Sequence, residues 1–129
     1  MNTPPIAPPE RYVVHVAKTS DEFAKDRFIH TCDAMLHARS SGETFGLAVG
    51  EFSARNRPVF TSREHTDHGA ARMHLDVLGR KGHLYSTKDE LVGLLLSLRR
   101  EAGATDHNAY RAYEPQHVLR AFEATFLVA

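Results

Sequence analysis

Apolar residues recur at helical spacing in two stretches of the chain. In the first, Phe28, Ile29, Cys32, Met35 and Leu36 share one face. That spacing predicts a helix over residues 20–39, ended by Ser40, Ser41 and Gly42. In the second, Leu91, Leu94, Leu95, Leu98 and Ala102 form the stripe of a helix over residues 88–102, widened by Val92 and Leu96. A stripe that broad predicts a helix covered on more than one side, and Gly103 stands where a left-handed C-terminal cap belongs. Both helices begin with the same signal. Thr19 to Glu22 and Thr87 to Glu90 each read as a capping box, with a hydroxyl at the cap and a glutamate three residues on.

Other stretches read as strands. Arg11 to Ala17 is rich in β-branched residues, and His83 to Ser86 reads as another short strand. Thr44 to Phe52 is apolar but interrupted by glycines. With a polar turn at 53–57 and a second run from Pro58 to Thr61, it predicts a hairpin. Residues 72–78 fit either an alternating strand or a short helix, and the alternation of Met73, Leu75 and Val77 with His74 and Asp76 favours the strand. The C-terminus is open between a helix started by Pro115 and a strand of alternating Val118, Phe122, Ala124, Phe126 and Val128. The fold expectation is therefore α+β: a single two-layer domain with two main helices on a mostly antiparallel sheet. Its element order resembles a ferredoxin-like β-α-β-β-α-β arrangement with an insertion. Residues 1–9 hold four of the six prolines and read as a flexible arm, leaving 10–129 as the domain.

Composition narrows the function classes. The 129 residues, 42% hydrophobic and 25% charged, suit one globular domain. Sixteen basic and sixteen acidic residues cancel, which argues against a general nucleic-acid or membrane-surface binder. The balance is uneven, however. Residues 53–81 carry six basic side chains (Arg55, Arg57, Arg63, Arg72, Arg80, Lys81) against three acidic ones, enough to attract a phosphate. Cys32 is the sole cysteine, so no intrachain disulfide forms; with no apolar leader this reads as a cytoplasmic protein. Among apolar residues, Cys32 reads as a core thiol, not a nucleophile.

Histidines carry most of the candidate chemistry. His65, His68, His74 and His83 fall within nineteen residues, beside Glu64 and Asp67. His65, Asp67, His68 and His74 offer nitrogen and oxygen ligands for zinc or another divalent metal, with Glu64 as a general base. The spacing lacks the His-Glu-x-x-His pattern that sets two ligands on one helical face. A second array lies on the first predicted helix. Asp26, His30, Asp33 and His37 follow at i, i+4, i+7 and i+11, a solvent-side ladder of acids and imidazoles facing a partner or a second copy. Arg55, Arg57, Arg80 and Lys81 join it as partner-binding candidates, the last two in a basic turn. No serine-nucleophile motif is present. Gly46 and Gly50 make no phosphate loop on this reading, because neither the G-x-x-x-x-G-K spacing nor a following helix is present.

The expected function is a small non-catalytic binding protein, an inhibitor, adaptor or accessory protein acting through protein contacts or self-association, with no cofactor. The alternatives are a metal-dependent hydrolase at residues 65–74, and nucleic-acid or phosphate binding through 53–81.

Overall fold

The computed structural model describes residues 13–39, 41–64, 71–98 and 105–127. Helix α1 (Glu22–Thr31) starts at Asp21, whose carboxylate accepts from the N–H groups of Phe23 and Ala24 at 2.9 and 3.2 Å. Thr19 sits one step back and accepts from the N–H of Asp21, so the cap lies two residues later than the capping box predicts. The helix stops at Cys32, whose backbone is extended. Met35–His37 then form strand β1 instead of continuing the helix.

The apolar run after Gly46 is a helix, α2 (Leu47–Ala54), not a strand. Gly46 caps it in the left-handed conformation at φ 76°, which a glycine adopts without steric cost. Strand β2 (Val59–Ser62) follows. Helix α3 (Met73–Leu78) takes the place of the expected strand, and a 3-10 turn (Gly79–Lys81) leads into strand β3 (His83–Tyr85).

These changes overturn the antiparallel, ferredoxin-like arrangement. The sheet has three strands in the order β1-β2-β3, and both pairings are parallel. A parallel pair needs a crossover. Helix α2 supplies the first and α3 the second, so the hairpin expected across residues 53–57 does not exist. The class, helix with sheet, stands.

Helix α4 (Lys88–Ser97) begins as its box predicts, with Thr87 Oγ1 accepting from the N–H of Glu90 at 3.2 Å. Glu90 reaches back to the N–H of Ser86. The helix buries no residue, and Leu96 is 83% exposed, so the expected cover on two sides is absent. Gly103 lies outside the described residues. The C-terminal segment takes the helical alternative: α5 (Pro115–Phe122) carries Pro115 at its first turn and passes into a π-turn over Glu123–Leu127. Residues 13–17, the described part of the strand expected over 11–17, are irregular and exposed. The proline-rich arm of residues 1–9 lies outside the described residues.

The core lies where α2 and α3 meet the sheet. Val49, Val59, Leu78 and Tyr110 are buried together, with Met35, Phe45, Phe52, Val77 and Ala109 against them. Burying an aliphatic side chain of this kind contributes about 1.5–3 kcal/mol. Tyr110 arrives from the segment before a 3-10 turn (Arg111–Tyr113) and lies across α2, where Gly50 leaves room for its ring. A Cβ on Gly50 would come within 2.8 Å of the ring.

Candidate functional site

In a parallel sheet, register partners point to the same face, and this sets the site. His37 pairs with Thr61, the last and the third residue of their strands. The Nδ1 of His37 and the Thr61 hydroxyl are 3.0 Å apart, and both residues are buried. On the other face Phe60 pairs with His83, and the two rings stack at 4.7 Å. Burial holds the His83 imidazole below its ordinary value, and neighbouring His107 pushes the same way.

His37 lies at the carboxyl end of β1. The chain leaves it through a loop that turns at Gly42 (φ 63°) and Gly46 (φ 76°) and enters α2. The segment entering α3 closes over this loop. Gly42 bridges Ala71, the N–H of Glu43 donates to the Ala71 carbonyl at 2.9 Å, and His74 Nδ1 lies 3.1 Å from the carbonyl of Glu43. A carbonyl only accepts, so this Nδ1 carries the hydrogen. The rings of His37 and His74 meet edge-on at 5.1 Å. The Glu43 carboxylate lies 3.7 Å from His37 Nε2 and is held by Arg39 at 2.7 Å. Tyr110 donates from its hydroxyl to the carbonyl of Phe45 at 2.6 Å, which pins the last part of the loop. Burial, with Tyr113 and Glu43 nearby, pushes this phenol up to about 12.

Two imidazoles, a hydroxyl, a carboxylate and the start of α2 therefore converge at the carboxyl edge of β1 and β2. No side chain caps α2. Its first turn points backbone N–H groups outward, where the helix dipole favours an anion. No family model, no curated protein and no solved structure matches the chain. Its function is argued from this geometry alone.

The residues singled out from sequence are placed unevenly. His65, Asp67 and His68 lie outside the described residues. Among the described residues no group of three or more His, Cys, Asp or Glu is placed to hold a metal ion. The fourth member, His74, is fully buried in the first turn of α3. The acid–histidine ladder breaks because the helix ends at Thr31: Asp33 falls in a bend and His37 is buried on a strand. Only Asp26 and His30 keep their helical pairing, at 3.3 Å.

Arg55 binds Asp26, which holds that carboxyl below the usual carboxylate range, and Arg57 donates to the carbonyl of His30 at 2.7 Å. Both fasten the end of α2 to α1. Lys81 binds Asp106 and the carbonyl of Asn108, each at 2.9 Å, while Arg80 makes no ion pair among the described residues.

Glu43 and Thr61 escaped the sequence reading. The signal for Glu43 was Gly42-x-x-x-Gly46 before an apolar run. It marks a strand–turn–helix once the run is taken as a helix. No helix among the described residues is long and apolar enough to cross a membrane.

Proposed function

We propose that the chain binds a phosphate-bearing small molecule of the nucleotide class at the carboxyl edge of its parallel sheet. The carrying observation is that the uncapped start of α2 and the His37, Thr61, Glu43 and His74 groups meet at that edge. In open α/β sheets, ligands sit outside the carboxyl ends of the strands, with phosphates at a helix start reached through a glycine turn. Of the two objections to a phosphate loop at Gly46 and Gly50, the lack of a following helix is removed for Gly46, while the G-x-x-x-x-G-K spacing stays absent.

Each part has a task on this reading. Gly42 and Gly46 set the course of the loop that leads into α2, Gly42 by its close contact with Ala71 and Gly46 by its left-handed backbone. The first amides of α2 hydrogen-bond its oxygens. His37 or His74 adds a donor when protonated, and Glu43, neutralised by Arg39, accepts from a ligand hydroxyl.

The test titrates inorganic pyrophosphate, ADP and UDP into the full chain while backbone amide resonances are followed. Saturable shifts at residues 42–48 are expected. Ala48→Glu places a carboxylate on an exposed residue in the first turn of α2. Such a charge suits the helix dipole, so the fold stands, but it repels the incoming phosphate. The variant is expected to lose binding with its melting temperature unchanged. Absence of shifts at 42–48, or equal affinity in the variant, sinks the proposal.

A further inference from the structure

The basic turn at Arg80 and Lys81 and the segment around Asn108 to Ala112, distant in the sequence, meet in one groove. It runs between the last turn of α3 and residues 108–112, at the far end of α3 from His74, with a volume of about 620 Å³. Val77, Leu78, Ala109 and Ala112 give it an apolar floor, and Arg80, Lys81 and Arg111 stand along its sides. Asp106 engages Lys81 closely and Arg111 at 3.3 Å, while Arg80 has no acid against it among the described residues. The rim therefore keeps a positive excess above an apolar strip.

One buried polar atom adds an independent observation. Asn108 lines the groove, is 7% exposed and donates from Nδ2 to Glu114 at 2.7 Å. That bond fixes which way the amide points. Its Oδ1 is then a buried acceptor with no hydrogen-bond partner among the described residues. Leaving such an atom unmatched costs about 1–3 kcal/mol. A groove with an apolar floor, cationic sides and a buried, unmatched acceptor in its wall matches a segment with apolar side chains and carboxylates.

We propose that this groove docks an acidic, leucine-rich segment of a partner protein. The segment's apolar side chains cover Leu78, Ala109 and Ala112, and its carboxylates pair with Arg80 and Arg111. A peptide fits better than a compact ligand because the groove is open along its length. The site is separate from the carboxyl edge and does not depend on nucleotide binding there.

The probe is an end-capped peptide alternating leucine and glutamate, titrated into the full chain with amide resonances followed. A peptide with lysine in place of glutamate is the control. The glutamate peptide is expected to shift residues 77–81 and 108–112 and to bind more weakly as salt rises. Arg80→Glu with Arg111→Glu is expected to weaken it about tenfold or more. Both arginines are exposed, so the double variant keeps the fold; Arg80→Gln, which breaks no ion pair, serves if it does not. Equal binding of the lysine peptide, shifts gathered elsewhere, affinity unmoved by the arginine changes, or no saturable binding at millimolar peptide each overturns the proposal.

Discussion

Gly42 and Ala71 touch so closely that a Cβ on Gly42 would fall inside the van der Waals envelope of the Ala71 carbonyl oxygen. The backbone there is also left-handed, at φ 63°. Gly42→Ala therefore meets strain and clash together and is expected to cost about 2 kcal/mol or more. Gly93→Ala is the control. That glycine lies within α4 with nothing within 4 Å of the added carbon, so alanine is expected to stabilise by roughly 0.5–1 kcal/mol. Urea midpoints of both variants check the pair; equal effects would remove the argument.

Tyr110 gives stability a signature in alkali. Its phenol is held at about 12 in the folded chain against 10.0 when free. Between those values the unfolded chain loses its proton first. The contribution is fully present below pH 10 and is lost as pH rises toward 12, at about 1.4 kcal/mol per pH unit. Tyr110→Phe abolishes this slope and, by losing the bond to Phe45, costs about 1 kcal/mol at neutral pH. Denaturation curves from pH 8 to 11.5 read both effects. An unchanged slope in the variant would show that another group is responsible.

His83 gives the opposite limb. Its imidazole is held below its free value of 6.5, chiefly by burial and further by His107. As pH falls below that value the unfolded chain gains the proton first, so stability falls with acidification until the folded chain is protonated too. Melting temperatures at pH 7.5 and pH 5 are expected to differ less in His83→Gln than in the native chain. Equal differences would assign the acid sensitivity to other groups.

Ser53 fastens the C-terminal segment to α2. It is fully buried, donates to the carbonyl of His107 and accepts from the N–H of Ala109, each at 2.9 Å. Ser53→Ala leaves both groups unmatched and is expected to cost about 1–3 kcal/mol. A loss under about 0.5 kcal/mol in chemical denaturation, the scale of a neutral surface change, would show that water replaces the hydroxyl without penalty.

What could be read from sequence follows from how each element is specified. Thr87 acts through local backbone chemistry, so its helix start was legible, while Pro115 gave the same kind of signal for only one of two open readings. The parallel strands were not, because three or four residues such as Met35–His37 are too short to show an alternation. Met35 and Leu36 also continue the helical spacing of α1, and only the extended backbone at Cys32 breaks it. The run from Phe45 to Phe52 fits strand and helix equally; a left-handed Gly46 and the arrival of Tyr110 decide for the helix. The site was half visible for the same reason. His37 and His74 stood out as histidines, but their meeting depends on strand register and on a contact with Glu43 from 31 positions away.

The fit of Tyr110 against Gly50 bears on the order of assembly. A glycine inside a short helix lowers its autonomy by about 1 kcal/mol relative to alanine. Here α2 recovers that support from a residue whose hydroxyl bridges 65 positions to Phe45. The helix cannot consolidate on a nascent chain until the segment around Tyr110 has emerged. The glycine turn therefore acquires its geometry only after the chain has been made 65 positions past Phe45, and a chain cut short of residue 105 leaves that edge without its clasp.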